Sequence, residues 1–198
     1  MQTNRCRERA PTRRAGRLRA GDTGGVSEPA DTPFEIHLRR PAEADHPRLV
    51  AIVDDWWGGR RLHVLLPRLW FQHFTGTSWI AETADGALAG FLVGFVSPDN
   101  PHLAYIHMVA TNPAIRKQAV GRTMYEAFFA DVARRGAREV KAITWTGNTV
   151  SIGFHRAMGF RLVDGPGTRE IMGVPAFPDY DYPGEDRVVF ARALPTGR

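Results

Sequence analysis

The chain has 198 residues, 43% apolar and 24% charged, which suits one ordinary domain plus a tail and excludes collagen-like, coiled-coil and wholly disordered organisation. No stretch approaches the roughly 18 to 20 consecutive apolar residues of a membrane-spanning helix, and the N-terminus has no apolar signal-peptide centre, so the expected location is cytoplasmic. Cys6 is the only cysteine, which excludes an internal disulfide, a multi-thiolate zinc site and an iron–sulfur cluster; the formal net charge is +5.

Residues 1–33 hold seven arginines against Glu8, Asp22, Glu28 and Asp31 and end in a Gly/Ser/Pro/Asp-rich stretch from Gly21 to Pro33. With almost no large apolar side chains, this segment is expected to be a disordered Arg-rich extension and linker. Any contact with nucleic acid is expected only through this arm, which can neutralise phosphates. Residues 34–198 carry 19 basic and 17 acidic side chains and form the expected domain.

From Phe34 to Arg40 apolar and polar positions alternate, the period of a half-buried strand, and Pro41 ends it. Ala44 to Trp57 places Leu49, Ile52, Val53, Trp56 and Trp57 at helical spacing before Gly58 and Gly59. A short helix is expected over Leu66–Phe74. Strands follow over Ser78–Thr83 and Ala87–Val96, joined by a turn at Ala84-Asp85-Gly86, and then over His102–Thr111. Ala119 to Arg135 reads as a strong helix with Val120, Met124, Ala127, Phe128 and Val132 on one face and Gly136 as its stop. Glu139–Trp145 reads as a strand, Thr149–Met158 as a helix, Phe160–Val163 as a strand, Gly165–Gly184 as a Gly/Pro-rich excursion and Arg187–Leu194 as the last strand. This order predicts an α/β sandwich with a mixed sheet.

The chemistry concentrates where the fourth strand runs through Arg116-Lys117-Gln118-Ala119-Val120-Gly121-Arg122 into the long helix. Backbone N–H groups and the positive end of the helix dipole converge there, a geometry suited to a pyrophosphate. Ala119 and Gly121 let the backbone approach closely, while Arg116, Lys117 and Arg122 add charge at the rim. The same residues also fit a plain strand-to-helix turn on a basic surface. A second block, Asn148 to Phe160, follows roughly 30 residues later.

Together these blocks resemble the GNAT acetyltransferases, whose first motif runs Arg/Gln-x-x-Gly-x-Gly/Ala and whose second runs Asn-x6-(apolar/Tyr)-x3-Gly-Phe. Here the first reads Arg116-x-x-Ala119-x-Gly121, with alanine at the first glycine position, and the second places His155 where tyrosine is usual. The resemblance covers residues 34–194. It implies a mostly antiparallel mixed sheet with helices on both faces and a splayed central strand pair, into which the pantetheine arm of acetyl-CoA inserts. Met108, Val109 and Thr111 would face the thioester and pantetheine, Arg116 to Arg122 (including Lys117, Gln118, Ala119, Val120 and Gly121) would take the phosphates, and Asn148 would touch the pantetheine. No metal is implied.

The implied reaction is direct attack by a primary amine in a ternary complex, since the lone cysteine lies outside the domain. His155, as an imidazolium, is the expected acid toward the departing sulfur, against the plainer reading of a solvent-facing helix histidine. His107 is the expected base; strand alternation puts it on the side of Tyr105 and Val109. Glu82 is a weaker candidate. Trp56, Trp57, Trp70, Phe71 and Phe74 offer aromatic walls for an acceptor pocket, and Asp179, Asp181, Glu185 and Asp186 with Tyr180 and Tyr182 offer a loop that attracts a cationic amine. A small-molecule amine is the expected substrate. A protein N-terminus or lysine, and non-catalytic acyl-CoA binding, stay open as alternatives, and the chain is expected to be a monomer or homodimer.

Overall fold

The computed structural model describes residues 35–195. The extension expected over residues 1–33 lies outside the described residues. The elements are β1 (Ile36–Arg39), α1 (Asp45–Trp56), α2 (Leu69–His73), β2 (Trp79–Thr83), β3 (Leu88–Val96), β4 (Leu103–Thr111), α3 (Val120–Arg134), β5 (Glu139–Trp145), α4 (Thr149–Ala157), β6 (Arg161–Leu162), β7 (Arg169–Ile171), β8 (Val174–Ala176) and β9 (Arg187–Ala193). The expected helix over 66–74 is shorter because Pro67 restricts Leu66, whose ψ of 56° is non-helical; 3₁₀ turns at His63–Leu65 and Thr75–Thr77 flank α2. The expected loop after β6 contains the β7–β8 hairpin.

Seven strands form one sheet in the order β1-β2-β3-β4-β5-β9-β6, antiparallel at every junction except β4–β5, which is parallel. The expected mixed sheet is therefore present, with helices on both faces. On one face Leu49 and Val53 of α1 and Phe71 of α2 bury Ile80, Phe91, Val93, Met108 and Ala110. On the other, Val120, Met124, Tyr125 and Phe128 of α3 and Ile152 of α4 cover Leu92, Ala104, Ile106, Val140 and Phe190. Two clusters of this size supply the main driving force for folding, at about 25 cal/mol per Å² of apolar surface removed from water.

α3 can lie directly on β3 because Gly90 and Gly94 present no side chain to it. A Cβ on Gly94 would stand 2.5 Å from the Phe128 ring and 2.8 Å from the Tyr105 carbonyl oxygen. The carbonyl belongs to the sheet backbone and cannot give way. Gly94→Ala is accordingly expected to destabilise the fold by about 1–3 kcal/mol through overpacking, read as a lowered urea midpoint with an unchanged slope.

Two irregularities in β4 shape the centre of the sheet. Val93 pairs with Met108 but Gly94 pairs with Ile106, so His107 is an extra residue opposite no partner, a β-bulge. Further, β4 and β5 pair only over Leu103–Tyr105 and Glu139–Lys141, after which the strands part while each keeps its other neighbour. This is the splayed central pair that the resemblance implied.

Candidate active site

The parted strands open a cavity of about 760 Å³. Tyr105 to Val109 form one wall and Ala142 to Trp145 the other. Tyr125, Ser151 and His155 also line it, Trp57, Arg60, Leu62 and Leu65 come from the segment after α1, and Asp181 to Arg187 contribute from the loop before β9. The expected site residues His107, Met108, Val109 and His155 therefore meet in one place. Thr111, Arg116 to Arg122 and Asn148 stand outside its lining.

The bulge decides the aim of His107. Strand alternation predicts Tyr105, His107 and Val109 on one side, yet Met108 and Ala110 pack with α1 and α2 while Val109 packs with α3 and α4. His107 stays on the α1/α2 side with Tyr105, stacked on Trp70 at 4.3 Å between ring centroids. Its Nε2 lies 2.8 Å from the Leu65 carbonyl oxygen. A carbonyl only accepts, so the neutral ring carries its proton on Nε2 and leaves Nδ1 as an acceptor. Burial lowers the imidazole pKa below its usual 6.5, which keeps the ring neutral at physiological pH.

His155 is arranged differently from the expected imidazolium acid. It is 5% exposed, stacked flat on Phe190 at 4.1 Å, and burial lowers its pKa to about 4. Its Nδ1 donates to the Ser151 carbonyl oxygen at 2.8 Å, so Nε2 must accept the Tyr125 hydroxyl proton at 3.0 Å. The imidazole is thus neutral and points its free lone pair at Tyr125, with no proton to give to the cavity at neutral pH. Tyr125, a fully buried residue on α3 that no motif marks, is held protonated by the same burial.

At the end of β4, the loop into α3 holds Lys117 at φ 73° and Ala119 at φ 57°. The left-handed geometry explains why the motif prefers glycine where this chain has Ala119: an L side chain there costs roughly 1–2 kcal/mol. Ala119→Gly is expected to raise stability by about 0.5–1 kcal/mol, read by chemical denaturation. α3 opens without a side-chain cap, so its first-turn N–H groups are open to a ligand. Arg116, Lys117, Gln118, Ala119 and Arg122 are exposed. A Cβ on Gly121 would come 3.3 Å from Phe154 and 3.6 Å from Thr111, so the glycine keeps this turn close to the strand end. Asn148 is spent on the fold: its Oδ1 caps α4 by accepting from the Ser151 N–H at 3.2 Å, and its Nδ2 donates to the Thr144 hydroxyl at 3.0 Å.

In the loop before β9, Arg187 forks between Asp181 (2.8 Å) and Glu185 (2.7 Å), pinning the acidic loop to the start of that strand. Of the expected aromatic walls only Trp57 lines the cavity; Phe71 is core, and Trp70 instead backs His107. Glu82 is bound by Arg39 at 2.8 Å, which pulls its carboxyl pKa down, and is absent from the lining. Among the described residues no helix is long and apolar enough to cross a membrane, and no cluster of His, Cys, Asp or Glu is placed to hold a metal ion.

Residues 38–160 match the model of the acetyltransferase (GNAT) family. The L-2,4-diaminobutyric acid acetyltransferase of Nocardia farcinica is 27% identical over 115 residues, 58% of this chain and 59% of that protein. The chain therefore spans less than two thirds of the curated relatives it matches. Among solved structures, Ard1 from Thermoplasma volcanium superposes with a TM-score of 0.64 at 19% identity, covering 81% of this chain and 98% of that one. The diaminobutyrate acetyltransferase of Paenibacillus lautus, solved with L-2,4-diaminobutyric acid and coenzyme A, superposes with a TM-score of 0.60 at 22% identity, covering 83% and 98%. With the family match extending over more than half its length, the chain belongs to the GNAT acetyltransferase family.

Proposed function

We propose that the chain transfers an acetyl group from acetyl-CoA to the primary amine of a small molecule, by direct attack in a ternary complex. The supporting observation is the parting of β4 from β5 around a cavity that holds a neutral, tautomer-fixed imidazole. Acetyl-CoA supplies the activated acyl group. The uncapped start of α3, with Arg116, Lys117 and Arg122 around it, offers the anion cradle, and the edge of β4 beyond Tyr105 offers backbone donors to polarise a carbonyl.

His107 accepts the amine proton at Nδ1 and passes it to water. His155 and Tyr125 stay neutral and hold the floor of the cavity, so the departing sulfur is protonated from solvent. The lips formed by the segment after α1 and the 181–187 loop suit a compact acceptor better than an extended peptide, and the relatives named as diaminobutyric acid acetyltransferases agree with this size. The proposed setting is the cytoplasm, with acetyl-CoA as cosubstrate, no metal, and a monomeric or homodimeric chain.

Purified protein given acetyl-CoA and, separately, L-2,4-diaminobutyrate, simple diamines and peptides with free N-termini is expected to release thiol with the small amines. Release with peptides alone would make it a protein acetyltransferase. Coenzyme binding without release on any amine would make it a non-catalytic module.

A further inference from the structure

We infer that Arg60 is a specificity-determining residue that reads a carboxylate on the acceptor, so that the substrates are amines bearing an acid group rather than plain amines; this rests on the acetyl-transfer reading above. The charged groups around the cavity are unequal in their pairing. Arg187 is neutralised twice, by Asp181 and by Glu185. Asp186 accepts the Asp179 backbone N–H through one carboxylate oxygen at 3.0 Å and forms no ion pair among the described residues. Arg60 likewise forms none, and its guanidinium lies 5.5 Å from the centroid of the Trp145 ring.

That position is informative. Arg60 comes from the segment after α1 and Trp145 from the end of β5, so the guanidinium lies between one lip of the cavity and the β5 wall. A cation–π contact with an aromatic face leaves the guanidinium N–H groups available, and those groups can match a carboxylate with two parallel hydrogen bonds. Arg60 is exposed, and Trp57, Leu62 and Leu65 line the same cavity. With Asp186 and His107 also in its lining, the cavity presents a cation and a carboxylate without ion-pair partners among the described residues, and a neutral base. The complementary ligand carries both charges, with its anionic end at Arg60 and its reacting amine toward His107.

The test compares L-2,4-diaminobutyrate with 1,3-diaminopropane, the same skeleton without the carboxylate, in steady-state kinetics. The unmodified chain is expected to favour the amino acid by about 10- to 100-fold in kcat/KM, the range of one charge-assisted contact, mainly through KM. Arg60→Gln is expected to bring that ratio close to one, and Arg60→Lys to restore part of it. Calorimetry with coenzyme A is expected to show the same affinity for the unmodified chain and Arg60→Gln. Equal use of both amines by the unmodified chain, an equal loss on both in Arg60→Gln, or a loss of coenzyme affinity instead would each overturn the assignment while leaving acetyl transfer standing. No acetylation of either amine would overturn the assignment, and thiol release with other amines of the panel would then leave acetyl transfer standing.

Discussion

His107→Asn is expected to lower kcat by about 10²- to 10⁴-fold, the usual worth of a positioned general base, with little change in coenzyme affinity. The ring owes its usefulness to three contacts. The bulge aims it to the α1/α2 side, Trp70 stacks on it at 4.3 Å, and the Leu65 carbonyl oxygen accepts a hydrogen bond from its Nε2–H at 2.8 Å. Burial then lowers its pKa below 6.5, so the neutral, proton-accepting form survives into mildly acidic solution. The unmodified chain should show kcat/KM falling on the acid side with a midpoint below 6.5 for the step that depends on this ring, and the variant should lack that limb. A variant that kept full turnover would place the base elsewhere.

The second large effect concerns stability. His155 has a folded pKa of about 4 against 6.5 in an unfolded chain, so folding favours its neutral form. Its contribution is fully present above pH 6.5 and is lost as pH falls toward 4, because the unfolded chain takes up the proton first. The difference corresponds to about 3 kcal/mol. Unfolding free energy measured between pH 7 and pH 4 should therefore drop more steeply in the unmodified chain than in His155→Phe. A phenyl ring keeps the stack on Phe190 but neither titrates nor accepts the Tyr125 hydroxyl. Parallel pH profiles for the two proteins would show that the imidazole is not the titrating group.

Much of this architecture was legible in the residues. Glu139–Trp145 follows from alternation, and α3 from its apolar stripe and Gly136. The two motif blocks marked the sheet parting and the turn into α3. The aim of side chains around the bulge was not legible. Burial along β4 alternates without a break from Leu103 to Thr111, so the sequence looks like a regular strand although its faces exchange at His107. Only the count of residues on the partner strand reveals it. The β7–β8 hairpin is not legible in the sequence because its turn sits on Met172 and Gly173, at φ 52° and 77°, and methionine gives no turn signal where asparagine would.

The place of His155 on α4 is legible in the sequence, but its protonation state is not. Period and spacing say where an imidazole sits along a helix, while its protonation depends on Phe190, Tyr125 and a carbonyl from three different elements. Asn148 was marked by the motif, yet the residues that occupy both ends of its amide, Ser151 and Thr144, show that it anchors α4. The sequence suggests an acidic loop that attracts cations; the fork of Arg187 pairs two of its four carboxylates.

The parting of β4 from β5 after Tyr105 leaves this sheet with a rim in its middle. Two blocks, β1–β4 and β5-β9-β6, are stitched by three residue pairs and by the helices that overlie them. Any extended guest with amide groups can complete the missing ladder without a new fold having to form. The same open seam should make the amides of Ile106–Thr111 that face it exchange with deuterium well before those of β3 alongside, and docking such a guest should slow them.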